Sequence, residues 1–344
     1  MVREHVALSG RRSVWVVAVL AATLLAGVVA FVLLRAATDS EVPADEVHPA
    51  GESLQMPLTG MPTEVVPHRP ALIVKISNSP EARPQTGLAE ADVVFEEVTE
   101  GGVTRFLAVF HSQLAEVVGP VRSARPVDAQ LIAGFGDPGF AYSGVREEVR
   151  TILARTPAVS ITEGAPGFFR DHGTYASHPV APHNLFLEVQ PAWEAVTDAG
   201  ARPLTSIGWE FDEAPPSATV ASGTSVEIPM SAAFTTSWEY DAAAERYRRS
   251  QNGRPSEVTG PARIGAANVV VLDTDHYVGA SGYPETDVLG AGPARILRDG
   301  QAFAARWSKP RETDPLALLL SDSSGPFPLK PGPTWIHLAD ELPG

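Results

Sequence analysis

From about residue 56 onward, apolar runs of strand length recur along the chain, separated by clusters of turn formers. Ala71 to Ile76, Asp92 to Val98 and Phe106 to Phe110 each read as a buried strand. The stretch between the first two, Asn78-Ser-Pro-Glu-Ala-Arg83-Pro-Gln-Thr-Gly87, reads as a loop. Val127 to Ala133 predicts a short helix, Phe140 to Ser143 a strand, and Val145 to Arg155 an amphipathic helix with Val145, Val149, Ile152 and Leu153 on one side. Val159 to Ile161 predicts a further strand, and Pro191 to Ala199 a helix closed by Gly200. Strands alternating with helices predict an α/β ectodomain, a mixed sheet with helices, over residues 56–216.

Past Ser217 the pattern becomes that of hairpins. Thr235 to Tyr240 and Glu245 to Arg249 form one candidate pair, with Trp238, Tyr240 and Tyr247 on a shared face. Asn268 to Leu272 has the texture of a buried strand. Ala294 to Leu297 and Gln301 to Trp307 flank Arg298-Asp299-Gly300, and Asp-Gly is a strong two-residue hairpin signal. With a last strand in Pro331 to Leu338, residues 217–344 predict a smaller, mainly antiparallel β domain.

The N-terminus follows neither pattern. Ser13 to Leu34 holds 22 residues without a charge, long enough at about 1.5 Å per residue to cross a hydrocarbon core of roughly 30 Å. The run exceeds the usual apolar core of a signal peptide, and no small-residue cleavage site follows it, so an uncleaved anchor over residues 13–34 is expected. Arg3, Arg11 and Arg12 lie in residues 1–12, while Asp39, Glu41, Asp45 and Glu46 follow the run. The positive-inside rule therefore puts residues 1–12 in the cytoplasm and the remainder outside the cell membrane. Residues 35–55 are acidic, contain Pro43 and Pro49 and lack periodicity, as a tether would.

Charge and composition narrow the partners. The first 35 residues carry four arginines and one glutamate, and the remainder holds 22 basic against 40 acidic residues, a net charge of −18. Such a surface suits no nucleic acid. No cysteine is present, which excludes disulfides, thiolate metal sites and a lipidated cysteine in this sequence.

Within that acidic chain four arginines stand out. Arg83, Arg105, Arg122 and Arg125 lie in or beside loops at predicted strand ends, where open α/β sheets bind ligands. Planar guanidinium forks suit carboxylate or phosphate, and with Asn78 they form a candidate anion site. Arg122 and Arg125 precede a helix start, where cations are unfavourable unless a carboxylate or a bound anion faces them. Asp92, Glu96, Glu97, Glu100 and Asp128 could equally pair with these arginines internally. Asp128, a catalytic candidate beside His183, could hold a metal or orient an arginine, or simply suit the first helical turn. A second cluster, Arg170-Asp171-His172 through His178 to Pro182-His183-Asn184, offers acid–base candidates, His183 foremost. Its spacing matches no compact metal motif, and no metal site is assigned.

Other matches fail on context. Gly134-Phe-Gly136-Asp-Pro-Gly139 fits G-x-G-x-x-G, yet it follows a helix and carries Pro138 where a dinucleotide motif would open one. No G-x-S-x-G, Walker A or H-E-x-x-H sequence occurs, and no cofactor is legible.

Several of these motifs together resemble a known family. Asn78 to Gly87, Glu100-Gly-Gly-Val-Thr-Arg105-Phe, Gly119-Pro-Val-Arg122-Ser-Ala-Arg125-Pro and Ala181-Pro-His183-Asn184-Leu look like the N-terminal part of the YerB-type putative lipoprotein family. Trp238-Glu-Tyr240, Gly265-Ala-Ala-Asn268, Gly290-Ala-Gly-Pro-Ala and Pro331-Gly-Pro-Thr-Trp335 look like its C-terminal part. The resemblance spans about Pro57 to Leu338 and implies an envelope-facing bacterial protein without an assigned activity. This chain departs from it in having no cysteine to acylate.

Two functions follow as expectations. One is a binding or scaffold module for a cell-envelope polymer or an envelope protein, with the arginines as docking site or internal fastening. The other is an enzyme on phosphate- or pyrophosphate-linked envelope intermediates. It is suggested by a looser likeness to LytR-CpsA-Psr phosphotransferases, in which Asn78, Arg83, Arg122 and Arg125 would grip a lipid-linked phosphate. The enzyme requires the arginines and His183 to share one open pocket, whereas internal fastening requires a carboxylate for each arginine.

Overall fold

A computed structural model describes residues 54–217, 220–260, 262–279 and 283–343. The expected anchor at 13–34 and nearly all of the tether at 35–55 lie outside these residues. Among the described residues no helix is long and apolar enough to cross a membrane.

The apolar runs become strands close to where periodicity places them. The major elements are β1 (Leu72–Ser77), β2 (Val93–Val98), β3 (Thr104–Phe110), α1 (Pro126–Ile132), β4 (Gly139–Ala141), α2 (Glu147–Leu153), β5 (Val159–Ile161) and α3 (Val189–Asp198). They continue with β6 (Thr235–Asp241), β7 (Arg246–Gln251), β8 (Asn268–Asp273), β9 (Gly290–Arg298), β10 (Gln301–Lys309) and β11 (Thr334–Ala339). Gly200 closes α3 with φ +102°, and Asp299 and Gly300 turn the β9–β10 hairpin with φ of +54° and +70°. These are left-handed conformations, which Gly adopts freely and Asp tolerates.

Helices are few and short, so the described chain is β-rich with mixed sheets and is less helical than an alternating strand–helix reading suggests. A second departure concerns how the strands join. Those of the two halves form one sheet, ordered 220–222, β10, β9, β8, β11, β2, β3, β1, β4, β5, with 317–320 paired to β10. The last strand, β11, lies between β8 and β2 and is parallel to both, with Trp335 opposite Val94 and Val269. In sequence it reads as the end of a β domain. In space it joins the two halves by backbone hydrogen bonds.

A strand alternates its side chains between the two faces of a sheet, and this sheet has an apolar core on each. Val74, Ile76, Val94, Phe106 and Ala108 enter one core together with Trp238, Tyr247 and Trp335. Ile73, Val93, Phe95, Leu107 and Val109 enter the other with Val127, Leu131 and Phe140. The first core packs the sheet against a smaller antiparallel sheet of 225–229, β6, β7 and 254–255. The second packs it against α1 and α2. Strands buried on both faces read as continuous apolar runs, which explains why β1 to β3 were legible.

Candidate functional site

Alternation decides where the charged residues of these strands go. Glu96 and Glu97 are neighbours on β2, so they face opposite sides of the sheet. Lys75 on β1 and Arg105 on β3 lie on the Glu97 side, whereas Thr104 lies with Glu96. Asn78, just past β1, also reaches the Glu96 side. The predicted arginine cluster is thereby divided between two sites.

On the Glu97 side, Lys75 is fully buried and donates to Glu97 and, at 2.7 Å, to Asp128. The other Asp128 oxygen accepts the backbone N–H of Arg125 at 2.7 Å, a capping contact at the start of α1. Asp128 is thus buried and engaged through both oxygens, which gives it a positioning role. Burial, with Asp128 nearby, raises the Glu97 carboxyl to about 7 despite the Lys75 ammonium. One buried cation faces two carboxylates, which disfavours the ionised form of Glu97.

Around this triad stand three arginines. Arg125 donates through Nε (3.1 Å) and Nη2 to Glu100, and through Nη1 to the carbonyl of Ala124 at 2.8 Å. Glu100 is therefore the negative group that faces Arg125 at the half-buried start of α1. Arg105, nearly buried, donates to the Ser123 carbonyl at 2.8 Å and lies 3.9 Å from Glu100. Burial, with Arg125 and Arg122 nearby, lowers its pKa to about 10. Arg122 differs from both. It makes one long contact, 3.4 Å to the Pro182 carbonyl, its buried Nε has no partner, and it forms no ion pair with a described residue. His183 lies close by, with Nδ1 3.4 Å from Ser79 Oγ, and burial followed by the Arg122 charge lowers its pKa. Its ring is mainly neutral at pH 7.

On the Glu96 side the partners come from the C-terminal half. Arg249 of β7 donates Nη2 to both Glu96 oxygens at 2.9 Å, and its guanidinium lies against the T-shaped Phe106–Trp335 pair, 5.2 and 5.4 Å from the two ring centroids. Trp238 Nε1 donates to His337 Nε2 at 2.9 Å, which leaves the ring proton on Nδ1, 3.1 Å from Glu96 Oε2. Thr104 Oγ1 and Asn78 Nδ2 donate to the same carboxylate at 2.8 and 3.3 Å. Burial would raise the Glu96 carboxyl, but the Arg249 charge and the hydrogen bonds hold it well below the usual carboxylate range. Burial likewise keeps His337 neutral.

Asn78 links this network to Arg83. Its Nδ2 donates to Thr104 Oγ1 (2.6 Å) and Gln251 Oε1 (2.8 Å), and its Oδ1 accepts from Arg83 Nε and Gln85 Nε2, both at 3.2 Å. Arg83 also donates to the Asn78 carbonyl at 2.7 Å and forms no ion pair with a described residue. Burial, then repulsion from Arg249, lowers its pKa to about 10, so it stays charged at neutral pH. Asn78 and Arg83 thus face the C-terminal half, apart from Arg105, Arg122 and Arg125.

The histidine-bearing loop resolves into fastenings. Asp171 accepts the backbone N–H groups of Gly173, Thr174, Tyr175 and Ala176 at 2.9 to 3.1 Å, which consumes its acceptor capacity in shaping the turn. Arg170 grips Glu163 at 2.7 and 2.6 Å, and Asn184 Oδ1 at 3.0 Å. His172 and His178 are exposed, and His183 is the loop histidine that approaches the arginines.

Arg249, Gln251, Lys75, Trp238 and His337 were missed as site residues. For Lys75 a signal existed: a lone charge inside the apolar run Leu72–Ser77. For Arg249 and Gln251 it was weaker, since they alternate with half-buried Arg248 and Ser250 and share the inward face of β7 with Tyr247.

Comparison with known proteins agrees with the two-part organisation. A model described as the N-terminal domain of a protein of unknown function, DUF3048, matches residues 58–202, and the C-terminal domain of the same family matches residues 226–336. The chain is 29% identical over 311 residues to "Putative lipoprotein YerB" of Bacillus subtilis (strain 168), covering 87% of this chain and 90% of that protein. It superposes on the crystal structure of YerB from Bacillus subtilis with a TM-score of 0.71 and 28% identity, over 84% of this chain and 97% of the other. With both family domains present in order and the same fold over nearly the whole relative, the chain belongs to the two-domain DUF3048 family.

Proposed function

We propose that this chain is a membrane-held, outward-facing binding module that docks onto an anionic group of a cell-envelope polymer or envelope protein through Arg105, Arg122 and Arg125. The carrying observation is the charge balance there: Arg105 and Arg125 share the carboxylate of Glu100, while Arg122 beside them forms no ion pair with a described residue and is left with a long contact and a buried, unpartnered Nε. In a chain of net charge −15 such a local surplus of cations is unusual. The lipoprotein description of the Bacillus relative supports the location. Because this sequence has no cysteine to acylate, the apolar run at 13–34 would serve as its anchor.

Pyrophosphate serves as the probe, with the full-length chain in neutral detergent and unfolding followed by heat. At 100 times its dissociation constant a ligand adds about 2.7 kcal/mol of stability, and Arg122→Gln should weaken binding at least tenfold. Unchanged binding by Arg122→Gln removes the reading.

An enzyme acting on phosphate- or pyrophosphate-linked intermediates draws on one observation, the approach of neutral His183 to Ser79 Oγ at 3.4 Å beside Arg122. Such a pair could move a proton while the arginines hold a phosphoryl group. Phosphate release from a polyprenyl pyrophosphate, lost in His183→Gln, would support it. Turnover no faster than in a protein-free control would exclude it.

A further inference from the structure

A separate cleft of about 300 Å³ opens between the 78–85 loop of the N-terminal half and β7 with its following turn. Arg83, Arg249, Gln251, Arg254 and Glu257 line it, together with Asn78. Arg249 and Gln251 are 1% and 3% exposed. Two of their donors, Arg249 Nε and Gln251 Nε2, are buried without a partner. Buried donors are rarely left so, and two of them on residues that line one cleft make an acceptor bound there a reason for their presence.

Charge selects the kind of acceptor. Arg249 is already neutralised by Glu96. Arg83 and Arg254 form no ion pair with a described residue, and Glu257 is the one acid lining the cleft. The surplus is close to a single positive charge, which suits a monoanion better than a phosphate dianion. Guanidinium and amide N–H groups together match the two coplanar oxygens of a carboxylate. Pro80, Pro84 and Pro255 supply apolar wall for a short tail.

We infer that this cleft binds the free carboxylate of a small, partly apolar ligand, of which the end of a short peptide is one source and a small aliphatic acid another. Its residues differ from those of the Arg105–Arg122 face, so the two sites stand or fall separately.

The test is calorimetric titration of the full-length chain in neutral detergent with N-acetyl-dialanine, its C-terminal amide, and butyrate. Saturable binding of N-acetyl-dialanine is expected, with the amide at least tenfold weaker. Butyrate binding as tightly would assign the source to small acids, and weaker butyrate binding would assign it to peptide ends. Gln251→Glu keeps the acceptor oxygen used by Asn78 and Arg249 while replacing the free donor with negative charge, so it should abolish binding. Arg254→Gln, at an exposed position, should weaken it several-fold in a protein that melts like the wild type. Arg122→Gln should leave it unchanged. Equal binding of acid and amide, wild-type binding by Gln251→Glu, or no saturable binding at millimolar ligand overturns the inference.

Discussion

Glu96 and Glu97 are adjacent in sequence, both fully buried, and opposite in behaviour. Glu96 is surrounded by donors, Arg249, Thr104, Asn78 and Thr236, and burial strengthens every one of those interactions. Glu97 shares a single lysine with Asp128, and burial leaves too little positive charge for two carboxylates. One carboxyl is held ionised and the other is raised to about 7. The lesson is that burial alone does not set the direction of a carboxyl shift. The count of donors on that face of the sheet does.

The strongest way to break the comparison is to remove each cation. Arg249→Met leaves a fully buried, ionised Glu96 without its cation and should cost about 3–5 kcal/mol in urea unfolding at pH 7. It should also loosen the contact between the family domains, since Arg249 bridges them. Lys75→Met leaves Glu97 free to take up a proton, so its cost should be smaller, about 2 kcal/mol at pH 6. Equal costs would show that the two carboxylates are alike after all.

The pH dependence sharpens the same point. Glu97 has a folded pKa above the ordinary value of about 4.5, so between those pH values the folded state binds more protons than the unfolded. Its contribution to stability therefore falls as pH rises from about 4.5 through 7 and is lost above it. Glu96 is depressed, so its contribution is present above the ordinary carboxylate pKa and is lost as pH falls in acid. Because Asp92, raised to about 6 by burial, adds a slope of the same sign as Glu97, the informative quantity is the difference between wild type and Glu97→Gln. That difference should move in favour of the variant from pH 5 to pH 8. A flat difference would mean that Glu97 titrates normally.

The smallest expected effect is on the solvent side of the Glu97 face. Arg122→Gln removes a cation that makes one 3.4 Å contact, and its stability should stay within about 0.5 kcal/mol of wild type. A loss of several kcal/mol would make Arg122 a fastening of the 171–184 loop and would weaken the docking proposal.

What the sequence determined is local. Doubly buried strands declare themselves as apolar runs, so Leu72–Ser77, Val93–Val98 and Thr104–Phe110 lie within two residues of their expected bounds. Asp-Gly marked the turn between β9 and β10 because few residue pairs adopt its left-handed backbone. Helix-end electrostatics called for a carboxylate or a bound anion opposite Arg122 and Arg125, and Glu100 pairs with Arg125 while Arg122 forms no ion pair with a described residue. What the tertiary structure decided is which partner each charge received. Glu96 takes Arg249, which is 153 residues away, and that choice rests on β11 pairing with β2 so that the two halves face one another. Alternation separates Asn78 and Arg83 from Arg105, Arg122 and Arg125, although all five had looked like one cluster. Neither assignment is written in local pattern, because periodicity reports only that a side chain is buried. The identity of the group it is buried against depends on strand order, and strand order is a property of the whole sheet.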